Sequence, residues 1–224
     1  MFKNIRYDIK AIKERDPAAR NSLEVFFLYT GFHAVLYHRA ANFFYRHGMK
    51  FIARWISQHC RFKTGIEIHP AAKIGRGLLI DHGTGVVIGE TAEVGDNCTI
   101  YQGVTLGGTG KDVGKRHPTI GNNVMVGSGA KVLGPFKVGD NAKIAAGAVV
   151  LTEVPEGATA VGVPARIIFT GDRAKDKCDG NDLDQIHIPD PVSTEMCRLR
   201  YQMDQLEKRL AALEGGDAQH ADKQ

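Results

Sequence analysis

The 224-residue chain has no apolar run long enough to cross a bilayer. Its longest such stretch, Val25 to Phe32, is interrupted by Thr30 and Gly31 and falls far short of the roughly 20 residues a membrane helix needs. The opening MFKNIRYDIKAIKERD is charged and lacks an apolar signal core, so no secretory signal is expected. Cysteine is scarce: Cys60, Cys98, Cys178 and Cys197, none spaced as C-x-x-C and none clustered. That pattern argues against a disulfide framework and a zinc site, and for a reducing compartment, with the cytoplasm as the expected location. Charge of one sign is scarce too. A formal net charge of +4 suits an anionic ligand but is too small and dispersed for nucleic acid. What remains is an ordinary globular composition, 43% hydrophobic and 24% charged, for one main domain with appendages.

A repeat dominates the middle of the chain. An aliphatic residue recurs every six positions at Ile68, Ile74, Ile80 and Val86. After a slip of two it resumes at Ile88, Val94, Ile100 and Leu106, breaks for fourteen residues, and returns at Ile120, Val126, Val132, Val138, Ile144 and Val150. Glycine often follows, and the position four residues on is small or apolar, as at Ala72, Leu78, Thr84, Ala92, Cys98, Val104, Val124, Ala130, Ala142 and Ala148. Six fits neither the helical period nor the strand period alone. It fits a short strand followed by a tight corner, three of which close a triangular coil. The pattern predicts a parallel β-helix of hexapeptide repeats, about five to six coils long, whose aliphatic residues stack inward.

The flanks differ. Phe2, Ile5, Ile9 and Ile12 mark one face of a helix that Asp16-Pro17 ends. Ser22 is placed to cap a second helix, whose apolar stripe runs from Val25 to Phe44 and stops at Gly48. A third is predicted over roughly 49–62. Beyond residue 169 a polar, Gly- and Asp-rich linker leads to Met196, Leu199, Met203, Leu206, Leu210 and Leu213, the seam of a coiled coil or of an amphipathic helix folded back on its own chain. The expected class is α+β: a helical cap (1–65), a parallel β-helix (66–169), and a linker with a C-terminal helix and disordered tail (170–224).

Two segments depart from the repeat and carry chemistry. In the first, Glu67-Ile-His69-Pro lies about one coil before Asp81-His82-Gly83. A carboxylate beside His82 would fix its tautomer and leave the other nitrogen as a base; the alternative is a solvated histidine on a corner. The second is the break, Gly107 to Pro118, with four glycines, three cations and His117. Glycines admit a ligand to backbone N–H groups, and the cations suit carboxylate or phosphate. The alternative is a solvated excursion, but long loops on regular scaffolds are disproportionately functional.

The runs EIHPAAKIGRG, DHGTGVVIGETA, VTLGGTGK, Arg116-His117-Pro118 and Gly162-Val-Pro-Ala-Arg166, with Asp16-Pro17-Ala18 and Gly31-Phe32-His33-Ala34, resemble bacterial serine O-acetyltransferases over roughly residues 14–169. The resemblance implies a left-handed coil, a homotrimer or a hexamer of two trimers, and transfer of acetyl from acetyl-CoA to the L-serine hydroxyl in cysteine biosynthesis, without a metal. By the same resemblance His82 is the base and Glu67 orients it. Asp16 and Asp81 hold the substrate ammonium, and Arg116 and His117 hold its carboxylate, so that His117 joins His82 and Glu67 at the reacting centre. Gly108 donates to the oxyanion, and Gly108, Ser128, Ala146 and Arg166 contact CoA in a groove between two subunits. L-cysteine is the expected feedback inhibitor. The chain ends in Ala221-Asp-Lys-Gln224, whereas members that dock into cysteine synthase end in isoleucine, so that docking is not expected. Three competing readings are a same-scaffold acetyltransferase acting on a sugar or xenobiotic hydroxyl, a metal enzyme using His69, His82 and His117, and a purely structural solenoid.

Overall fold

The computed structural model describes residues 2–110 and 113–168, together with Met203 and Leu206. The predicted C-terminal helix therefore lies almost entirely outside the described residues, as does Lys111. Four helices come first: α1 (Phe2–Arg15), α2 (Ser22–Leu28), α3 (Thr30–Arg46) and α4 (Lys50–Thr64). The predicted second helix is two helices. Asn21, not Ser22, is its cap, and its side chain accepts the Glu24 N–H at 2.8 Å. The stripe breaks at Tyr29, which is extended at φ −82°, ψ 105°. The kink lets α3 bring Gly31 against Ile80: a Cβ there would lie 2.1 Å from the Ile80 carbonyl oxygen.

Among the described residues fifteen short strands follow, β1 (Glu67–Ile68) to β15 (Arg166–Ile168), wound into three parallel sheets. Sheet A stacks β1-β4-β7-β10-β13, sheet B β2-β5-β8-β11, and sheet C β3-β6-β9-β12-β14, with β15 added antiparallel to β14. Inward residues stack in columns: Ile68, Ile88, Leu106, Val132 and Val150 in sheet A, Ile80, Ile100, Val126 and Ile144 in sheet C. All are at most 3% exposed and form one core along the prism. Two of the three edges turn through left-handed backbone. The edge from sheet C to sheet A uses Gly65, Gly85, Gly103, Gly129 and Gly147; that from B to C uses Gly77, Asn97, Asn123, Asn141 and Gly157. Asparagine tolerates this conformation better than other residues with a Cβ.

One assignment in the repeat needs correction. Val86 does not belong with Ile80; it is the buried corner residue before β4 (Val87–Ile88), the position expected for Thr84, which is exposed. The register explains why. Asp81 pairs with Tyr101, and the Gly103 N–H donates to Thr84 O, so Thr84 and Gly85 match Gln102 and Gly103. The two extra residues are His82 and Gly83. The later break, eight residues over the period, is the loop between β7 (Thr105–Gly107) and β8 (Thr119–Ile120).

The helices close the open end of the prism. Ala34, Val35 and Cys60 join the core beside Ile66 and Ile68, and Ser57 Oγ donates to Ile68 O at 2.8 Å. Arg15 donates to the carbonyls of Gly77, Asn97 and Cys98, fastening the end of α1 to the B–C edge. Asp8, 1% exposed, accepts the Gly77 N–H and pairs with Arg39 at 2.5 Å.

Candidate functional site

The residues singled out from sequence fall into two groups on different edges of the prism. The first stands on the C–A edge. Because Arg15 pins the end of α1, Asp16 faces the start of α3. Its Oδ1 accepts the Ala18 N–H at 2.8 Å and its Oδ2 the Tyr29 hydroxyl at 2.7 Å. Burial and the Asp16 carboxylate push the Tyr29 phenol well above its ordinary pKa, and Asp81 adds to the effect. Tyr29 is thus a neutral donor to Asp16, with the Asp81 carboxylate near enough to act on the same phenol. His82 follows Asp81 directly. It is in left-handed backbone, φ 53°, and among the described residues it is the only non-glycine, non-asparagine residue there. Gly83 after it is tight: a Cβ would come within 2.4 Å of Ile66 Cδ1. The insertion swings the imidazole outward to 76% side-chain exposure.

The nearest carboxylate oxygen to that ring is Asp81 Oδ1, 3.8 Å from Nε2, an approach too long for a hydrogen bond. Glu67 has another partner: Arg61 Nη1 lies 3.3 Å from its Oε2. Among the described residues no hydrogen bond joins Glu67 to His82. Ser128 and Ala146 are successive corner residues on this same edge, one coil apart, as the β9 (Met125–Val126) to β12 (Lys143–Ile144) register requires. Arg166 is exposed on β15.

The second group is on the A–B edge, where the long loop returns. Arg116 pairs with Glu90 at 2.5 Å and so lowers the Glu90 carboxyl. His117 is buried, its ring so close over Gly89 that a Cβ there would sit 2.0 Å from Nε2. Burial, then Arg116, lowers the His117 pKa below the ordinary histidine value. Thr91 holds the loop end. Its Oγ1 accepts the Arg116 and His117 N–H groups at 3.0 and 3.1 Å and lies 2.9 Å from His117 Nδ1. Lys115 Nζ donates to Thr91 O at 2.7 Å. Gly108 packs on the same loop end, where a Cβ would meet Arg116 O at 2.9 Å. His69 stands near Glu90, which offsets the lowering of its pKa by burial.

Within one chain, then, Asp16, Asp81, His82, Ser128 and Ala146 share one edge, and Gly108, Arg116 and His117 another. Within one chain, among the described residues, no group of three His, Cys, Asp or Glu side chains is placed to hold a metal ion. Sequence reasoning missed Tyr29, Glu90 and Thr91. The last two lie within the DHGTGVVIGETA run that carries the resemblance, but no role was read for them there. Tyr29 carried no local signal, because its role comes from the helix break.

Comparison with known proteins agrees from several directions. A family model described as "Serine acetyltransferase, N-terminal" matches residues 1–36, and one for "Bacterial transferase hexapeptide (six repeats)" matches residues 117–152. A serine acetyltransferase of Bacillus pumilus is 50% identical over 212 residues, covering 95% of this chain and 96% of that protein. A solved serine acetyltransferase from Brucella abortus, in complex with coenzyme A, superposes with a TM-score of 0.74 at 48% identity, covering 75% of this chain and 67% of that one. A Neisseria gonorrhoeae serine acetyltransferase in complex with serine gives 0.72 at 46% identity, covering 75% and 68%.

Proposed function

We propose a mechanism from one premise: this chain belongs to the serine acetyltransferase family and has that family's activity. Acetyl-CoA is the proposed donor, L-serine the acceptor and O-acetyl-L-serine the product, as a step of cysteine biosynthesis; coenzyme A and serine in the solved relatives support the pairing. One observation carries the mechanism. The repeat admits an inserted pair, His82-Gly83, whose effect is to free an imidazole on a prism edge beside the Asp81 carboxylate.

His82 takes the proton of the serine hydroxyl, whose oxygen attacks the thioester carbonyl carbon. The tetrahedral oxyanion is met by a backbone N–H at Gly108. The C–S bond then breaks, and the protonated His82 returns its proton to the departing CoA thiolate. Asp16 and Asp81 are the proposed partners of the substrate ammonium, with Tyr29 holding Asp16. Arg116 and His117 are the partners of its carboxylate. Glu67 is assigned to orient His82, with Arg61 in turn holding Glu67. Ser128, Ala146 and Arg166 are assigned to CoA, the small corner residues letting an extended pantetheine arm lie flat. L-cysteine, with sulfur for oxygen, is assigned the same site as an inhibitor.

This assignment needs two chains, because the ammonium and carboxylate groups stand on different edges. A three-fold ring sets one edge of each protomer against the other edge of the next, a heterologous contact that closes. Exposed Phe51, Trp55 and Phe62 on one face of α4 support burial against a partner. We take residues 1–65 as the cap and 66–169 as the catalytic solenoid. The test is thiol release from acetyl-CoA with L-serine, amino-alcohol analogues and sugars as acceptors. Serine-dependent release that falls about 10²- to 10⁴-fold in His82→Ala is expected. Release with sugars but not serine would overturn the substrate, and an unaffected variant would remove His82 as the base.

A further inference from the structure

We infer that Thr91 is a positioning residue that locks His117 in the tautomer carrying its proton on Nε2, so that the ring presents a hydrogen-bond donor, never a lone pair, to a substrate carboxylate. The inference rests on the assignment of His117 to that carboxylate. The argument is a count of donors and acceptors around one hydroxyl and one ring nitrogen. The Thr91 backbone N–H lies 3.2 Å from His117 Nδ1, and a backbone N–H can only donate. Nδ1 must therefore offer a lone pair. The Thr91 hydroxyl gives the same answer independently. Its oxygen accepts from the backbone N–H groups of Arg116 and His117, which uses both lone pairs. Only its hydrogen remains, and the atom at 2.9 Å is Nδ1. Two donors converge on Nδ1, so a proton there would face both.

With Nδ1 closed, the single proton of the neutral ring sits on Nε2, which has no hydrogen-bond partner among the described residues. The flipped tautomer would turn a lone pair toward the carboxylate and repel it. The imidazolium would attract it, but it requires a proton on Nδ1 and is also opposed by the Arg116 and Lys115 cations, with Glu90 alone favouring it. Thr91 thus makes a neutral histidine act with fixed polarity beside Arg116, which supplies the charge. One hydroxyl also ties the peptide units of Arg116 and His117 to the coil, setting both carboxylate partners together.

The decisive experiment compares Thr91→Val, which keeps the shape and removes the hydroxyl, with Thr91→Ser, which restores it, and with His117→Ala. In ¹⁵N-histidine-labelled wild-type protein the His117 resonances should report protonated Nε2 and bare Nδ1 across neutral pH. Thr91→Ser should keep that signature; Thr91→Val, which loses the hydroxyl donor but keeps the backbone N–H donor, should keep Nδ1 mainly bare and show a larger Nδ1-protonated fraction than wild type. The KM for serine should rise about 10- to 100-fold in Thr91→Val, with kcat and the KM for acetyl-CoA little changed, since a contact made in ground and transition state alike acts on KM. A wild-type ring protonated on Nδ1 overturns the proposal even if Thr91→Val does not fold. So does a Thr91→Ser enzyme as impaired as Thr91→Val, or an unchanged serine KM in Thr91→Val. If His117→Ala leaves serine binding intact, the carboxylate assignment itself fails, and the tautomer signature then stands as a feature of the loop alone.

Discussion

A buried histidine outside the site sets part of this protein's response to acid. His38 on α3 is 5% exposed, and its Nδ1 has no partner among the described residues. Burial, with the neighbouring Arg39 cation, lowers its pKa from 6.5 to about 4. The folded state therefore refuses a proton that the unfolded chain takes up. Stability is unaffected above about pH 6.5 and declines as pH falls from there toward 4, by on the order of 3 kcal/mol if the shift is fully expressed. His38→Gln should remove that share of the decline. Urea unfolding at pH 7 and pH 4.5 reads it, and an equal pH loss in both proteins would sink the idea. The two candidate-site imidazoles differ in exposure: the His82 side chain is 76% exposed, whereas His117 is buried and held by Thr91. The residue type was visible for both; their exposure and the Thr91 contact were not.

At the scale of the element, the hexapeptide turn has a stereochemical signature that can be tested without reference to function. Asn97, Asn123 and Asn141 stack on one edge at φ 58°, 54° and 59°, and Asn123 Nδ2 donates to Asn141 Oδ1 at 3.3 Å. Replacing Asn123 by glycine should be nearly neutral, because glycine adopts this backbone freely. Asn123→Val should cost about 1–3 kcal/mol, since a β-branched residue is strained there and the ladder bond is lost. Thermal unfolding should rank glycine close to wild type and valine well below; the reverse order would mean the edge is not held by backbone conformation. The strands were legible because burial repeats every six residues. The phase at Val86 was not, because a two-residue insertion leaves an aliphatic residue at the old spacing and only strand pairing reveals which coil position it fills. The break at Tyr29 was hidden for a similar reason: α2 and α3 keep a continuous apolar stripe, and the kink is imposed by Ile80 on Gly31 and by Asp16 on Tyr29.

At the scale of the whole molecule, the proposed division of the site between two edges predicts complementation. A His82→Ala subunit retains the Arg116–His117 edge, and a His117→Ala subunit retains the Asp16–His82 edge. Each is expected to be nearly inactive alone. In the proposed three-fold ring, subunits unfolded together and refolded as mixed assemblies should regain activity, because each mixed ring restores one complete site of three, or about one third of the wild-type rate. No recovery, with mixed assembly demonstrated by mass, would mean that each chain completes its own site. The sequence by itself determined the repeat, the coil and the residue types at hand, since a six-residue hydrophobic period is a local property that only a stacked prism satisfies. It also determined the family, through motifs that survive as strings. Tertiary structure alone decided that His82 sits on an insertion, that Glu67 answers to Arg61, that Tyr29 holds Asp16 and Thr91 holds Arg116 and His117, and that the proposed binding groups occupy two edges. Those are relations between residues from 6 to 26 positions apart, and their distances are set by how coils and helices stack rather than by any pattern along the chain.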